Sequence, residues 1–412
     1  MQKVIVIGGG AAGLMAAVTA AQNGAEVLLL EKNDRLGKKL LITGKGRCNV
    51  TNTAPLQDFV KNIPGNGRFL YSVFSKFFNW DTWSFFEELN VPLKEERGGR
   101  VFPVSDKAID IVNAFVNLLY SLAVQIKYNE NVKEIKVENN KAVGVVTSKG
   151  DFYKADSVIL ATGGASYPGT GSNGEGFKIA QAVGHNIVDL HPALVPLECE
   201  EDWVKNWQGL SLRNINAKVI VDGKEEREMF GEMLFTHFGV SGPIILSLSR
   251  QIALDLKAGK NVELSINLKP ALTREQLDKR ICRDFEKYSR KQIKNALHDL
   301  LPSKMIMDII DLAVIDEDKF VNQISKEERE RLVDLLQNLT MTITHTRPLS
   351  EAIVTGGGIS TKEINPKTME SKLIGNLYCI GEVVDVDAFT GGYNLQAAFS
   401  MGYVAGVDCA KE

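Results

Sequence analysis

Three glycines and an acid near the start of the chain have the spacing to do chemistry. Gly8, Gly10 and Gly13 form GxGxxG inside KVIVIGGGAAGLMAAVTAAQNGAEVLLLEK, and Glu31 follows 18 residues after Gly13. In that pattern the first glycine permits a tight turn, the second lets a pyrophosphate reach the backbone, and the third lets a helix pack on a strand. The N–H groups at Ala11 and Ala12 would face the phosphates, and Glu31 can accept ribose hydroxyls. The expectation is dinucleotide binding, against the plainer alternative of a glycine-rich structural turn.

A basic loop follows at once, EKNDRLGKKLLITGKGRCN. Lys32, Gly37, Lys38, Gly46, Arg47, Cys48 and Asn49 are expected beside the cofactor. The glycines admit a close backbone approach, Lys45 and Arg47 sit near phosphate or ring oxygens, and Asn49 bonds the ring edge. Cys48 has two readings. A thiol there can donate a proton, but free cysteine is often a small packing residue.

Two later stretches choose between flavin and nicotinamide. YKADSVILATGGASYPGTGSNGEG is an apolar strand ending in Ala161-Thr162-Gly163-Gly164, and GNLYCIGEVVDVDAFTGGYNLQAAFSMGYVAG is a strand ending in Gly381-Glu382 before a glycine turn and a small-residue helix. This is the pattern of two-dinucleotide-fold flavoproteins, and it points to FAD. Glu382 would reach the ribityl chain, and Asp387, Gly392, Tyr393, Asn394 and Leu395 would lie at the flavin with Thr162, Gly163, Gly164 and Val132. The last helix would aim its positive end at the flavin's pyrimidine edge, which favours the reduced ring. TGGGIS lacks the third glycine of the fingerprint and is read as a crossover or flavin-lining segment. A complete second nucleotide fingerprint is not found.

Other reactive residues are scattered. His237 in FTHFGVSGP is a candidate for substrate binding or proton transfer, against a structural histidine. His345 and Arg347 in THTRP are weaker candidates, with Arg347 able to bind a carbonyl or phosphate. His185, His191 and His298 read as structural or surface residues. Tyr167 and Tyr393 flank glycine turns and serve packing at least as well as stacking. The sequence shows no triad, metal-ligand cluster or HExxH.

The elements that must position these groups follow from length and pattern. At 412 residues the chain exceeds one usual core, so two or three domains are expected. A net charge of −3 argues against bulk-charge coating of nucleic acid but allows a local basic patch. Five dispersed cysteines without a CxxC pair fit a reducing compartment, and no apolar run reaches membrane-spanning length, so a cytoplasmic location is the default. The fold class expected is α/β: a Rossmann-like FAD-binding domain interrupted by a β-rich insert that carries its own helical insertion. The divisions expected are 1–190 and 350–412 for the FAD domain, 191–271 and 339–349 for the β-rich insert, and 272–338 for a helical subdomain. Asp222-Gly223 signals a hairpin. Thr273 is the expected cap of a helix with Leu277, Ile281, Phe285 and Tyr288 on one face. Lys279, Arg283, Lys287, Arg290, Lys291 and Lys294 would form a basic stripe on the other, either a solvated face or a dock for RNA phosphates.

The combination GKGRCNVTN, ATGGASYPGTGSNGEG, FTHFGVSGP, VTGGGIS, TMESK and GEVVDVDAFTGGYNLQAAFSMG resembles the BaiN-like/RdsA-like family of bacterial NAD(P)/FAD-dependent oxidoreductases, from residue 1 to about 410. The resemblance implies a two-part FAD domain with a long insertion. It also implies one reaction on either of two substrates, an enone-type steroid acid or uridine in ribosomal RNA. Hydride goes from reduced flavin to a C=C bond conjugated to a carbonyl, and an acid, Cys48 or His237, protonates the neighbouring carbon. NAD(P)H is the expected transient donor. The rival outside enzymes is a flavin-bearing redox or binding protein; oligomeric state is left open.

Overall fold

The computed structural model describes residues 1–411 in two compact units, 1–193 with 349–411, and 194–348. The first is built on a five-stranded parallel sheet in the order Leu377–Cys379, Ser157–Leu160, Lys3–Ile7, Glu26–Leu30, Gln125–Lys127. Val4, Val6 and Ile7 are enclosed, as a strand covered on both faces must be. Ile7 lies opposite Leu30 on one side and Leu160 on the other. The ends of three strands, each followed by a cofactor motif, therefore meet at one edge of the sheet.

The first helix, Ala11–Gln22, and the last, Tyr393–Cys409, are packed backbone to backbone. A Cβ on Gly402 would stand 2.4 Å from the carbonyl oxygen of Ala12, and one on Gly406 would stand 2.7 Å from that of Ala16. Because 402 faces 12 and 406 faces 16, the two helices run parallel. The last helix starts nine residues before Gly402, so its N-terminus projects roughly 14 Å from that contact at about 1.5 Å per residue. Residues 55–121 clad it with aromatic rings: Phe59 meets Tyr393 at 4.7 Å between centroids, and Phe86 meets Phe399 at 5.7 Å.

The second unit is a closed six-stranded barrel in the order Leu197–Cys199, Gly239–Ser241, Lys224–Phe235, Ser211–Val221, Val262–Asn267, Leu339–Thr346. Asp222 and Gly223 turn its longest hairpin with φ of +48° and +78°, as the sequence signals. Two expectations are corrected. PIILSLS, inside the stretch 191–271 expected to be β-rich, begins a 15-residue helix, Pro243–Lys257, with Pro243 in its first turn and Ile244, Ile245, Leu248 and Ile252 buried at helical spacing. Residues 272–338 form no separate subdomain, since Leu277, Ile281, Leu332 and Leu336 share one hydrophobic core with the barrel's Leu264, Ile266 and Leu339. Thr273 does cap the helix Arg274–Lys287, in a reciprocal box with Gln276.

The close helix pair sets a stability test. Gly402→Val must push the side chain into the Ala12 carbonyl, and a cost of about 3 kcal/mol is expected. The midpoint of denaturation, followed by near-UV dichroism, measures it.

Candidate flavin site

The glycines do what their spacing implies. A Cβ on Gly13 would fall 1.9 Å from the Gly8 oxygen, so only glycine lets this helix approach the strand, while a Cβ on Gly10 would meet nothing within 4 Å. The open side of Gly10 leads to the start of the first helix. No side chain caps that terminus and no acid sits in its first turn, so the N–H groups of Ala11, Ala12 and Gly13 keep the positive end of the helix available. Glu31 is buried at the end of its strand. Its Oε2 accepts the Gly9 N–H at 2.7 Å and its Oε1 accepts the Asn33 N–H at 2.8 Å, so it also fastens the glycine turn.

The basic loop is distributed differently from the expectation. Lys38 points out, 4.0 Å from Asp34. Its neighbour Lys39 points in. The Lys39 ammonium donates to both oxygens of Glu382 at 2.8 and 3.1 Å and to the Ser166 hydroxyl at 2.8 Å. Glu382 also accepts the Thr355 N–H at 2.8 Å and the Ser166 hydroxyl at 3.0 Å. Burial works against a charge on Glu382, but Lys39 first, then Thr355 and Ser166, outweigh it and hold the carboxyl below its usual range. Three segments distant in sequence from Glu382 and from one another converge on this one carboxylate. Lys39 is a site residue that sequence reasoning passed over; two adjacent lysines gave no signal as to which one turned inward.

Arg47 is corrected too. It ion-pairs with Glu96 and Asp106 and lies over the Phe102 ring at 4.2 Å, so its charge is spent within the protein. Lys32 likewise bonds Asn173 at 2.7 Å and Glu175 at 3.1 Å. The Cys48 thiol is wholly enclosed, and burial pushes it up to about 12 despite a hydrogen bond from Thr43. That is the environment of a packing residue, not of a proton donor facing substrate. Val132 is buried at the start of the strand Val132–Glu138, which belongs to a separate three-stranded sheet.

The C-terminal turn is held in shape by its own side chains. Asn394 grips Ala388 from both sides, accepting its N–H at 2.9 Å and donating to its oxygen at 2.8 Å. Asn52 donates to the Gly391 oxygen at 3.0 Å, and a Cβ on Gly392 would stand 2.2 Å from the Thr51 oxygen. Asp387 is buried behind the turn and Tyr393 packs edge-on against Phe59, so Asn394 and Tyr393 shape the turn. Leu395 is half-buried. The helix that begins here is uncapped by any side chain, with no acid in its first turn.

The residues present fit FAD. Two parallel helices offer bare positive N-termini, one beside the open Gly10. Glu382 Oε2 has Lys39 as its one bonded partner among the described residues and lies 3.9 Å from where a Gly163 Cβ would stand, leaving an acceptor for a ribityl hydroxyl. Asn49 Oδ1 and Thr162 Oγ1 are enclosed without a hydrogen-bond partner. Enclosed polar atoms of this kind call for a ligand or water. Gly164 must be glycine because a Cβ would lie 2.4 Å from Thr355 Oγ1, and Gly37 and Gly46 take positive φ at the two ends of the loop, as Gly381 does before Glu382.

In the barrel unit, His237 is exposed on a turn, with its ring 4.9 Å from that of Phe238. Arg347 lies over Phe238 at 4.7 Å and donates to Glu198 at 2.8 Å, and exposed His345 is paired across from Glu198. These groups gather on one rim. His185 is buried between Glu363 and Ser371, 2.9 Å from each, consistent with a structural role. No helix among the described residues is long and apolar enough to cross a membrane.

The family described as HI0933-like protein Rossmann domain matches residues 2–408. The chain belongs to that family. It is 33% identical over 416 residues to a 3-dehydro-bile acid delta(4,6)-reductase of Clostridium scindens, covering 100% of both chains. It is 30% identical to a ribosomal RNA dihydrouridine synthase of Haemophilus influenzae, covering 99% of this chain and 98% of that one. Its fold is similar to that of 3-ketosteroid delta1-dehydrogenase from Sterolibacterium denitrificans, with a TM-score of 0.51 at 13% identity and full coverage of both. The chain is an FAD-dependent oxidoreductase, with the Rossmann-like α/β fold expected.

Two outcomes test the site. Lys39→Met leaves a mostly enclosed carboxylate without its cation, which costs about 3 kcal/mol where the charge is retained; Lys39→Arg should recover much of it. Because Glu382 is held below its ordinary value, it adds stability above that value and loses it as pH falls through the folded one. Denaturation midpoints of the apoprotein should therefore fall from pH 5 toward pH 3 more steeply in the native protein than in Lys39→Met. Separately, iodoacetamide at pH 8 should leave Cys48 unmodified in the native protein and label it after denaturation, read by peptide mass spectrometry.

Proposed function

We propose that the protein reduces a C=C bond conjugated to a carbonyl, with NAD(P)H as the source of electrons. Bound FAD supplies the hydride acceptor and donor for such a reaction. The observation that carries the reading is the bare, positive N-terminus of the last helix, held in place by Asn394, Asn52 and the Gly402 contact. A positive helix end stabilises negative charge accumulating on a group placed before it. The full-length likeness to a reductase of a bile acid supports a small enone as substrate.

The roles of the chain's own residues follow. Ala11, Ala12 and Gly13 bind the pyrophosphate through backbone N–H groups, and Glu31 takes the ribose. Glu382, kept ionised by Lys39, accepts a ribityl hydroxyl, and Asn49 bonds the ring edge. His237 is the proposed proton donor, since its imidazole is exposed whereas the Cys48 thiol is sealed. We also propose a cytoplasmic location for this chemistry.

A second reading, reduction of uridine in ribosomal RNA, draws on the relative from Haemophilus influenzae. The chemistry is unchanged, because the uracil 5,6 double bond is itself conjugated to a carbonyl.

The test is anaerobic. Protein carrying FAD is bleached with NADPH and mixed with a 3-keto-4-ene steroid acid; return of the yellow oxidised absorbance with formation of the saturated ketone supports the reading. Flavin that stays reduced with both the enone and ribosomal RNA would sink it. His237→Gln should slow substrate reduction about 100-fold, the lower end of general acid catalysis, while leaving flavin reduction by NADPH unaltered.

A further inference from the structure

The basic stripe implied by the sequence is broken up by the structure. Its helix ends at Lys287, so Arg290, Lys291 and Lys294 lie beyond it. Lys287 pairs with Asp299 at 2.7 Å and Lys294 with Asp318 at 2.6 Å. Among the described residues, Lys279, Arg283, Arg290 and Lys291 form no ion pair. Two of these unpaired cations, Arg290 and Lys291, line an open surface cleft of about 580 Å³ together with Gln292, Asn295, His298 and Phe320.

The cleft is stiffly built. Gln292 and Phe320 face each other across an antiparallel bridge, with the Ile293 N–H donating to the Lys319 oxygen and the Val321 N–H to the Lys291 oxygen, both at 2.9 Å. Phe320 is nonetheless 43% exposed, an unusual position for a phenyl ring fixed by backbone pairing. Lys291 also lies 4.7 Å over the Tyr288 ring, as does Lys287. A small inorganic anion would use the cations and leave the ring and the amides idle. An acidic peptide would do the same. An unpaired nucleotide uses all three: a base on the ring, its edge on carboxamides that both donate and accept, and its phosphates on the cations.

We propose that this cleft docks single-stranded RNA, with a base stacked on Phe320 and the flanking phosphates on Arg290 and Lys291. The proposal rests on the ribosomal RNA reading and places that partner's contact on named residues. Gln292 and Asn295 read the base edge. Lys279 and Arg283, on the neighbouring helix, extend the positive path along the strand of RNA.

The experiment measures anisotropy of a fluorescein-labelled single-stranded RNA 20-mer, taken from ribosomal RNA sequence, with FAD-loaded protein across a range of salt. Phe320→Ala should weaken binding roughly 5- to 100-fold at every salt concentration, the range seen for loss of one stacked base. Arg290→Gln with Lys291→Gln should reduce the slope of log affinity against log salt by about 1.4, near 0.7 per phosphate contact. Lys224→Gln, at the tip of the barrel hairpin, should do neither, and all variants should keep native flavin content and enone reduction. Native protein that binds RNA while Phe320→Ala and the double variant bind equally well overturns the cleft but leaves the RNA reading standing. Native protein that binds no RNA, together with unchanged dihydrouridine in ribosomal RNA of cells lacking the gene, overturns both. Equal loss of polyglutamate binding in the double variant, with no effect of Phe320→Ala on RNA, shows a general anion surface and refutes the stacking site.

Discussion

The contact between the first and last helices constrains everything else in the flavin-binding unit. Two backbones approach until Gly402 touches the Ala12 carbonyl and Gly406 the Ala16 carbonyl, a distance that any larger residue forbids. Helices that close are locked in rotation as well as in spacing, because the approach works only where glycines face carbonyls. The lock fixes two positive N-termini in parallel, one at the GxGxxG turn and one at the Gly392 turn. Halves of the cofactor site that lie at opposite ends of the sequence thereby acquire a single geometry.

The second constraint is electrostatic. A carboxylate enclosed at the junction of four segments would be a large liability alone. Lys39, Ser166 and the Thr355 N–H turn Glu382 into a point where the basic loop, the Ala161–Ser166 segment, the strand Val354–Ile359 and the C-terminal turn must agree. Misplacement of any one of them exposes an unpaired charge to a dry environment. Such a hub favours one arrangement over near-alternatives. It also keeps one oxygen of Glu382 lightly engaged, where a hydroxyl-bearing ligand can be recognised.

The barrel unit follows a different logic. Its strands close on themselves and leave few edges, and the helices of 272–338 complete its core. Charged residues are therefore displaced outward and paired wherever acids are near, as at Lys287–Asp299 and Lys294–Asp318. What the pairing leaves over includes Arg290 and Lys291, which line one cleft with an exposed Phe320.

The sequence alone determined the parallel sheet, the glycine cradle, the Asp222-Gly223 hairpin, the Thr273 cap and FAD as the cofactor. All but the last rest on local spacing, a period, a turn residue or a fingerprint contained within thirty or so residues; FAD rests on several such motifs recurring in order along the chain. Tertiary structure decided matters that depend on which neighbour arrives from far along the chain. Lys38 and Lys39 are equivalent in sequence, and only the position of Glu382, more than three hundred residues later, turns one inward and leaves the other in solvent. Arg47 reads as a neighbour of phosphate or ring oxygens until Glu96 and Asp106 occupy it, and Cys48 as either proton donor or packing residue until the core closes around it. The helix Pro243–Lys257 and the shared core of 272–338 were hidden for the same reason. Short apolar runs fit strand or helix equally well, and burial against a distant partner selects between them.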